Sequence, residues 1–113
     1  MGEMRDALNQ VGEAFGKFSK LTPDQVKKFQ ELMEAVETKG ALDPRQKELI
    51  AVALSVCAQC RWCIAFHVER ALKEGATKDE ILEAAWVAVL MGGGPALMYS
   101  QLVLKALDEF KGQ

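Results

Sequence analysis

The sequence lacks most of what marks a secreted, membrane-spanning or nucleic-acid-binding protein. Three cysteines in 113 residues are too few for a disulfide framework. No apolar run is long enough for a bilayer span: the longest, Leu49 to Ala58, covers about half of the roughly 20 residues required. Neither sign of charge dominates. Lys plus Arg is 14, Asp plus Glu is 16, and the formal net charge is -2. That balance excludes a nucleic-acid footprint and an electrostatic pull toward anionic membranes. Met1 to Phe18 has no unbroken apolar core of a signal peptide, so the expected location is the cytoplasm. No segment alternates at period two over strand length, and no repeat or low-complexity tract interrupts the chain. Histidine is nearly absent, with one residue, His67.

What remains is an apolar half and a helical period. Half of the residues are hydrophobic, which argues against disorder, and the length suits a single domain over 1–113. Met4, Leu8, Val11, Phe15 and Phe18 form one helical stripe. Thr22-Pro23 reads as an N-cap with proline at the first helical position. The helix it opens would turn Val26, Phe29, Leu32, Met33 and Val36 inward and stop at Gly40. Asp43-Pro44, with Gln46, opens a third helix, about Pro44 to Cys57, apolar nearly all round after Glu48 and therefore expected to be central. A fourth runs from near Cys60 to about Glu74, with Gly75 as its stop. Thr77 and Glu80 make a capping box for a fifth, through Met91, with Ile81, Leu82, Ala85, Trp86 and Val89 inward. After Gly92-Gly93-Gly94, Pro95 can open a last helix that packs through Leu97, Val103, Leu104, Leu107 and Phe110. The fold class is all-α, with about six helices. The many alanines of the inner helices permit close backbone approach but bury little area each, which makes self-association plausible.

The chemistry concentrates on the fourth helix. Cys60, Cys63, Ile64, His67, Val68, Ala71 and Leu72 fall on one stripe, so three reactive side chains occupy places where aliphatic ones normally sit. Cys63 and His67 are one turn apart. Cysteines three apart on a helix have Cα atoms roughly 5 Å from each other, within disulfide range. At a helix start, free N–H groups and the macrodipole favour the thiolate, the species that attacks peroxides and disulfides. An imidazole, titrating near neutrality, can accept or relay the proton. Glu48, at the head of the long uncharged run, could orient that imidazole or act as a base; spacing alone does not place it against the cysteines.

Glu48, Cys60-Arg61-Trp62-Cys63 and His67 together resemble the alkyl hydroperoxidase D signature E-x11-C-x-x-C-x-x-x-H, in the carboxymuconolactone decarboxylase-like superfamily. Glu74-Gly75-Ala76-Thr77, Glu80-Ile81 and the triple glycine look like the same family, so the similarity runs from about Asp43 to Leu107. The resemblance implies a helical fold assembling as a homotrimer or homohexamer. It also implies a thiol peroxidase, and no cofactor or metal is expected. Cys63 would attack a small hydroperoxide, Cys60 would resolve the sulfenic acid, and Glu48 and His67 would relay protons. A dithiol or lipoyl-bearing protein would restore the thiols. The pattern departs at Trp62, where the hydroperoxidase has a second histidine.

Other readings stand beside this one. Cys57 reads as an inert, buried small hydrophobe. Glu48 could serve only the helix dipole. Cys57, Cys60 and Cys63 with His67 could hold a metal, although the usual second ligand pair is missing. Trp62 and Trp86 read as packing residues. The alternatives in function are a non-catalytic redox-sensing or metal-binding module and a carboxymuconolactone decarboxylase-like acid–base enzyme using Glu48 and His67.

Overall fold

The computed structural model describes residues 2–111, and these residues contain six helices and no strand. They are α1 Glu3–Leu21, α2 Pro23–Glu37, α3 Pro44–Cys57, α4 Arg61–Lys73, α5 Lys78–Gly92 and α6 Gly94–Phe110. The capping boxes at α3 and α5 are complete. Asp43 Oδ1 accepts from the Gln46 N–H at 2.8 Å, and Gln46 Oε1 accepts from the Asp43 N–H at 3.0 Å. Thr77 and Glu80 exchange the equivalent bonds at 3.1 and 2.9 Å.

Two expected end signals act differently. Thr22 precedes α2 but gives it no side-chain cap; its hydroxyl donates back to the Phe18 carbonyl at 3.0 Å. One residue separates α1 from α2, and the Phe18 carbonyl near the end of α1 accepts both the Thr22 N–H, at 2.7 Å, and that hydroxyl. Gly40 does not stop α2, which leaves through an extended Thr38. Lys47 of α3 instead donates its ammonium hydrogens to the carbonyls of Val36 and Thr38, at 2.7 and 2.6 Å. The N-terminus of α1 is capped from α6: the Glu109 carboxylate accepts from the Met4 and Arg5 N–H groups at 3.3 and 2.7 Å.

The core is formed by Met4 of α1, Val52 and Val56 of α3, Ile64, Ala65, Val68 and Ala71 of α4, Ile81, Ala85 and Ala88 of α5, and Val103, Ala106 and Phe110 of α6. Helix α4 packs against α1, α3 and α6 and holds the middle of the bundle. Helix α3, expected to be central, packs on α4 and α5 but leaves Ile50 and Leu54 exposed. The inward assignments fail most in α2: Val26 alone is buried, Met33 is half-buried, and Phe29, Leu32 and Val36 are exposed because the principal packing partner of α2 is α1. Phe18, Trp86, Leu97 and Leu104 are likewise exposed. No helix among the described residues is long and apolar enough to cross a membrane.

Candidate active site

Helix α3 ends in a left-handed residue, Gln59, at φ 56°. The Cys60 N–H reaches back to the Ser55 carbonyl at 3.2 Å and the Gln59 N–H to Val56 at 3.1 Å, the bond pattern of a Schellman stop. The same tight turn makes Cys60 the N-cap of α4, with its sulfur accepting from the Cys63 N–H at 3.2 Å. Cys60 and Cys63 are joined as a disulfide, their Cα atoms 5.2 Å apart. At the far end of α4, Gly75, at φ 89°, sits in a second Schellman stop, as its position after the helix predicted.

The short α3–α4 connection folds the two helices side by side and brings Glu48 onto His67. Glu48 Oε1 lies 2.7 Å from His67 Nδ1. The Glu48 side chain is only 4% exposed, so water does little to screen this contact. The acid is therefore more than a helix-dipole residue. His67 follows Cys63 by one turn, and both are half-buried.

Two participants were absent from the sequence reading. Arg70 Nε stands 3.5 Å from Glu48 Oε2 and 3.3 Å from Glu37 Oε2, and its guanidinium lies 5.2 Å from the centre of the Phe66 ring. Glu37, the last residue of α2, thus meets Glu48 across the same Arg70 guanidinium. Arg70 had a usable signal: it lies three residues after His67 and seven after Cys63, on the same helix face. Glu37 had none, because the approach of α2 to this site is tertiary.

The two carboxyls respond oppositely. Burial raises the Glu37 carboxyl, the hydrogen bond to Glu48 adds to this, and Arg70 only partly opposes them, so it ends above its ordinary range. Burial also pushes Glu48 upward. The hydrogen bond and charge of His67, aided by Glu37 and Arg70, outweigh that effect and hold Glu48 below its ordinary range. Of the two, Glu37 takes up a proton more readily and Glu48, facing the imidazole, gives one up more readily.

Cys57 is exposed, contrary to the reading of it as a buried hydrophobe, and its sulfur faces the Ala88 carbonyl at 3.6 Å. Among the described residues, no group of three or more His, Cys, Asp or Glu side chains is placed to hold a metal ion. Trp62 is also not a core residue: it is 45% exposed and donates its indole N–H to Gln10 Oε1 at 2.7 Å. It forms one wall of an apolar cavity of about 820 Å³ with Val11, Phe15, Phe18, Val26 and Phe29.

Residues 23–106 match the model of the Carboxymuconolactone decarboxylase family. A Paracoccus denitrificans protein, named as uncharacterized protein 4 in the cox locus, is 41% identical over 106 residues, covering 94% of this chain and 96% of that one. The crystal structure of an apo carboxymuconolactone decarboxylase family protein from Legionella pneumophila is similar with a TM-score of 0.91 and 42% identity, over 95% of this chain and 96% of that one. A Thermotoga maritima family member, for which a part in an antioxidative response has been suggested, is similar at a TM-score of 0.82 and 31% identity, over 94% and 90% of the two chains.

Proposed function

The chain belongs to the carboxymuconolactone decarboxylase family, and from that premise we propose that it is a dithiol-dependent hydroperoxidase working through Cys60 and Cys63. The observation that carries the reading is the contact of Glu48 with His67, one turn from Cys63 in a disulfide-forming Cys-x-x-Cys pair. The Cys63 thiolate attacks the terminal peroxide oxygen. The O–O bond breaks, an S–O bond forms, and the leaving alkoxide takes a proton from His67, backed by Glu48. Cys60 then attacks the sulfenic sulfur. The disulfide forms, and the departing hydroxide leaves as water with the Cys60 proton. An external dithiol, such as a lipoyl group on a partner protein, returns two electrons. The apolar cavity beside Trp62 supports an organic hydroperoxide as the substrate.

The same proposal includes assembly as a homotrimer or homohexamer in the cytoplasm. Its support is the exposed apolar surface of α3, α5 and α6, which includes Leu54, Trp86, Leu90 and Met91. Size-exclusion chromatography with light scattering is expected to give three or six chains; a stable monomer removes the assembly.

The activity test is hydroperoxide consumption by the reduced protein with dithiothreitol as reductant. Many equivalents are consumed, and mass spectrometry locates a Cys60–Cys63 bond after one equivalent. Consumption of a single equivalent makes the protein a redox sensor. Loss of no thiol ends both readings.

A further inference from the structure

Beside the site lies a second cavity, of about 340 Å³, lined by Phe15, Gln30, Met33, Glu34, Phe66 and the Glu37–Arg70 pair. It lies between α1, α2 and α4. Glu37 therefore borders open space and shares the Arg70 Nε, at 3.3 Å, with Glu48, at 3.5 Å, whose own side chain is almost sealed from solvent. The charged and titratable groups around Glu37 are Glu48 and Lys47 from α3, His67 and Arg70 from α4, and Glu34 from its own helix. From α1 the cavity receives Phe15, which carries no charge. Arg70 holds Glu37 and Glu48 on one guanidinium, keeping the two carboxyls together despite their like charge.

We propose that Glu37 is the proton store of the relay: it passes a proton through Glu48 to His67 and is reloaded from solvent through the cavity it lines. The inference rests on the hydroperoxidase reading and deepens it. The proton count of that cycle calls for such a store. Attack by the Cys63 thiolate turns hydroperoxide into alcohol and sulfenic acid only if the alkoxide receives one proton. Condensation with Cys60 then forms the disulfide and water without drawing another. Reduction by a dithiol breaks the disulfide and brings two protons. One goes to Cys60, and one is left over as Cys63 returns to thiolate. The relay gives up one proton in the oxidising half and recovers one in the reducing half. A buried Glu48 held as an anion is poorly suited to keep it; Glu37, protonated more readily and bordering open space, suits the task. Glu37 acts through Glu48 and not on substrate, so it is a positioning residue.

The experiment compares wild type with Glu37→Gln, Glu37→Ala and Glu37→Asp, in turnover with cumene hydroperoxide and dithiothreitol. It also follows the imidazole of His67, the sole histidine, by NMR against pH. Turnover in Glu37→Gln is expected to fall about tenfold, less than the roughly hundredfold or more that a direct general acid–base group supplies, because Glu37 acts through Glu48. Glu37→Asp retains most of the activity. Formate or acetate, added at constant pH and ionic strength, progressively restores Glu37→Ala by entering the space the side chain vacates. The acid-range response of the His67 resonance, which the two coupled carboxyls set together, changes its midpoint in Glu37→Gln. Wild-type turnover in Glu37→Gln, or a loss in Glu37→Ala that no small acid restores with the His67 titration unchanged, overturns the proposal. If the wild type consumes no hydroperoxide, the hydroperoxidase reading fails, and the His67 titration still decides the proton link.

Discussion

Replacing Glu48 by Gln separates charge from shape at the centre of the site. The two side chains are nearly isosteric, so no cavity forms. The Gln carbonyl can still accept a hydrogen bond from His67 Nδ1, now 2.7 Å from a carboxylate oxygen. A hydrogen bond to an ionised group contributes about 1.5–3 kcal/mol and a neutral one about 0.5–1.5, so the exchange costs about 1–1.5 kcal/mol. The attraction to Arg70 is also lost. That side chain is 38% exposed, and screening limits its share to less than about 1 kcal/mol. Glu37 works in the opposite sense. Its raised pKa favours the fold below the ordinary 4.5, a contribution lost as the pH rises through the folded value, and removing the Glu48 anion relieves part of that shift. The net loss near neutral pH is about 1 kcal/mol, or roughly 4 °C in Tm for a chain of this size. It depends on pH with a definite sign. Glu48 has a folded pKa below the ordinary 4.5, so its contribution is present above that value and lost as the pH falls through the folded one. Thermal melts by circular dichroism should therefore show wild type and variant converging between about pH 7 and about pH 3. A gap that stays constant over that interval, or widens in acid, would refute this account of the site. Hydroperoxide turnover in the same variant is expected to fall on the order of a hundredfold, because a neutral amide cannot take up the proton.

Three further outcomes are expected. Reducing the Cys60–Cys63 bond opens a loop of only four residues, whose closure entropy corresponds to about 2 kcal/mol; differential scanning calorimetry with and without dithiothreitol should show a Tm drop of roughly 8 °C with the fold retained. Cys63→Ser should abolish peroxide consumption, whereas Cys60→Ser should react once and accumulate a sulfenic acid or mixed disulfide visible by intact-mass measurement; full turnover in both removes the dithiol mechanism. Gln59→Gly should stabilise the chain by about 1 kcal/mol, since a side chain at φ 56° is strained and glycine is not; an unchanged urea midpoint would show that the turn carries no strain.

The fold was largely legible because helical signals are local. Asp43 with Gln46 and Thr77 with Glu80 announce their helices through bonds that span three residues, and both boxes form as the sequence suggests. Gly75 marks a left-handed stop for the same reason. Burial was less legible. Period alone says that Phe29, Leu32, Val36 and Trp86 share faces with apolar neighbours, but not whether another helix covers those faces. The end of α2 misled similarly: Gly40 is a local signal, whereas Lys47, which satisfies the α2 carbonyls, arrives from the next helix.

The sequence by itself determined the all-α class and the helix-start position of the cysteine pair. It also placed Cys63 and His67 one turn apart, because each of these follows from residues within a turn or two of one another. Only the tertiary structure decided that Glu48 meets His67, that Arg70 grips both carboxyls, and that Glu37 reaches the site from α2. The physical reason is the Schellman turn at Gln59, which folds α3 back along α4 and converts a separation of 19 residues into a 2.7 Å contact. The burial that raises Glu37, and the neighbours that shift Glu37 and Glu48 in opposite directions, come from the packing of other helices, so the contrast between the two carboxyls exists only once the helices have packed.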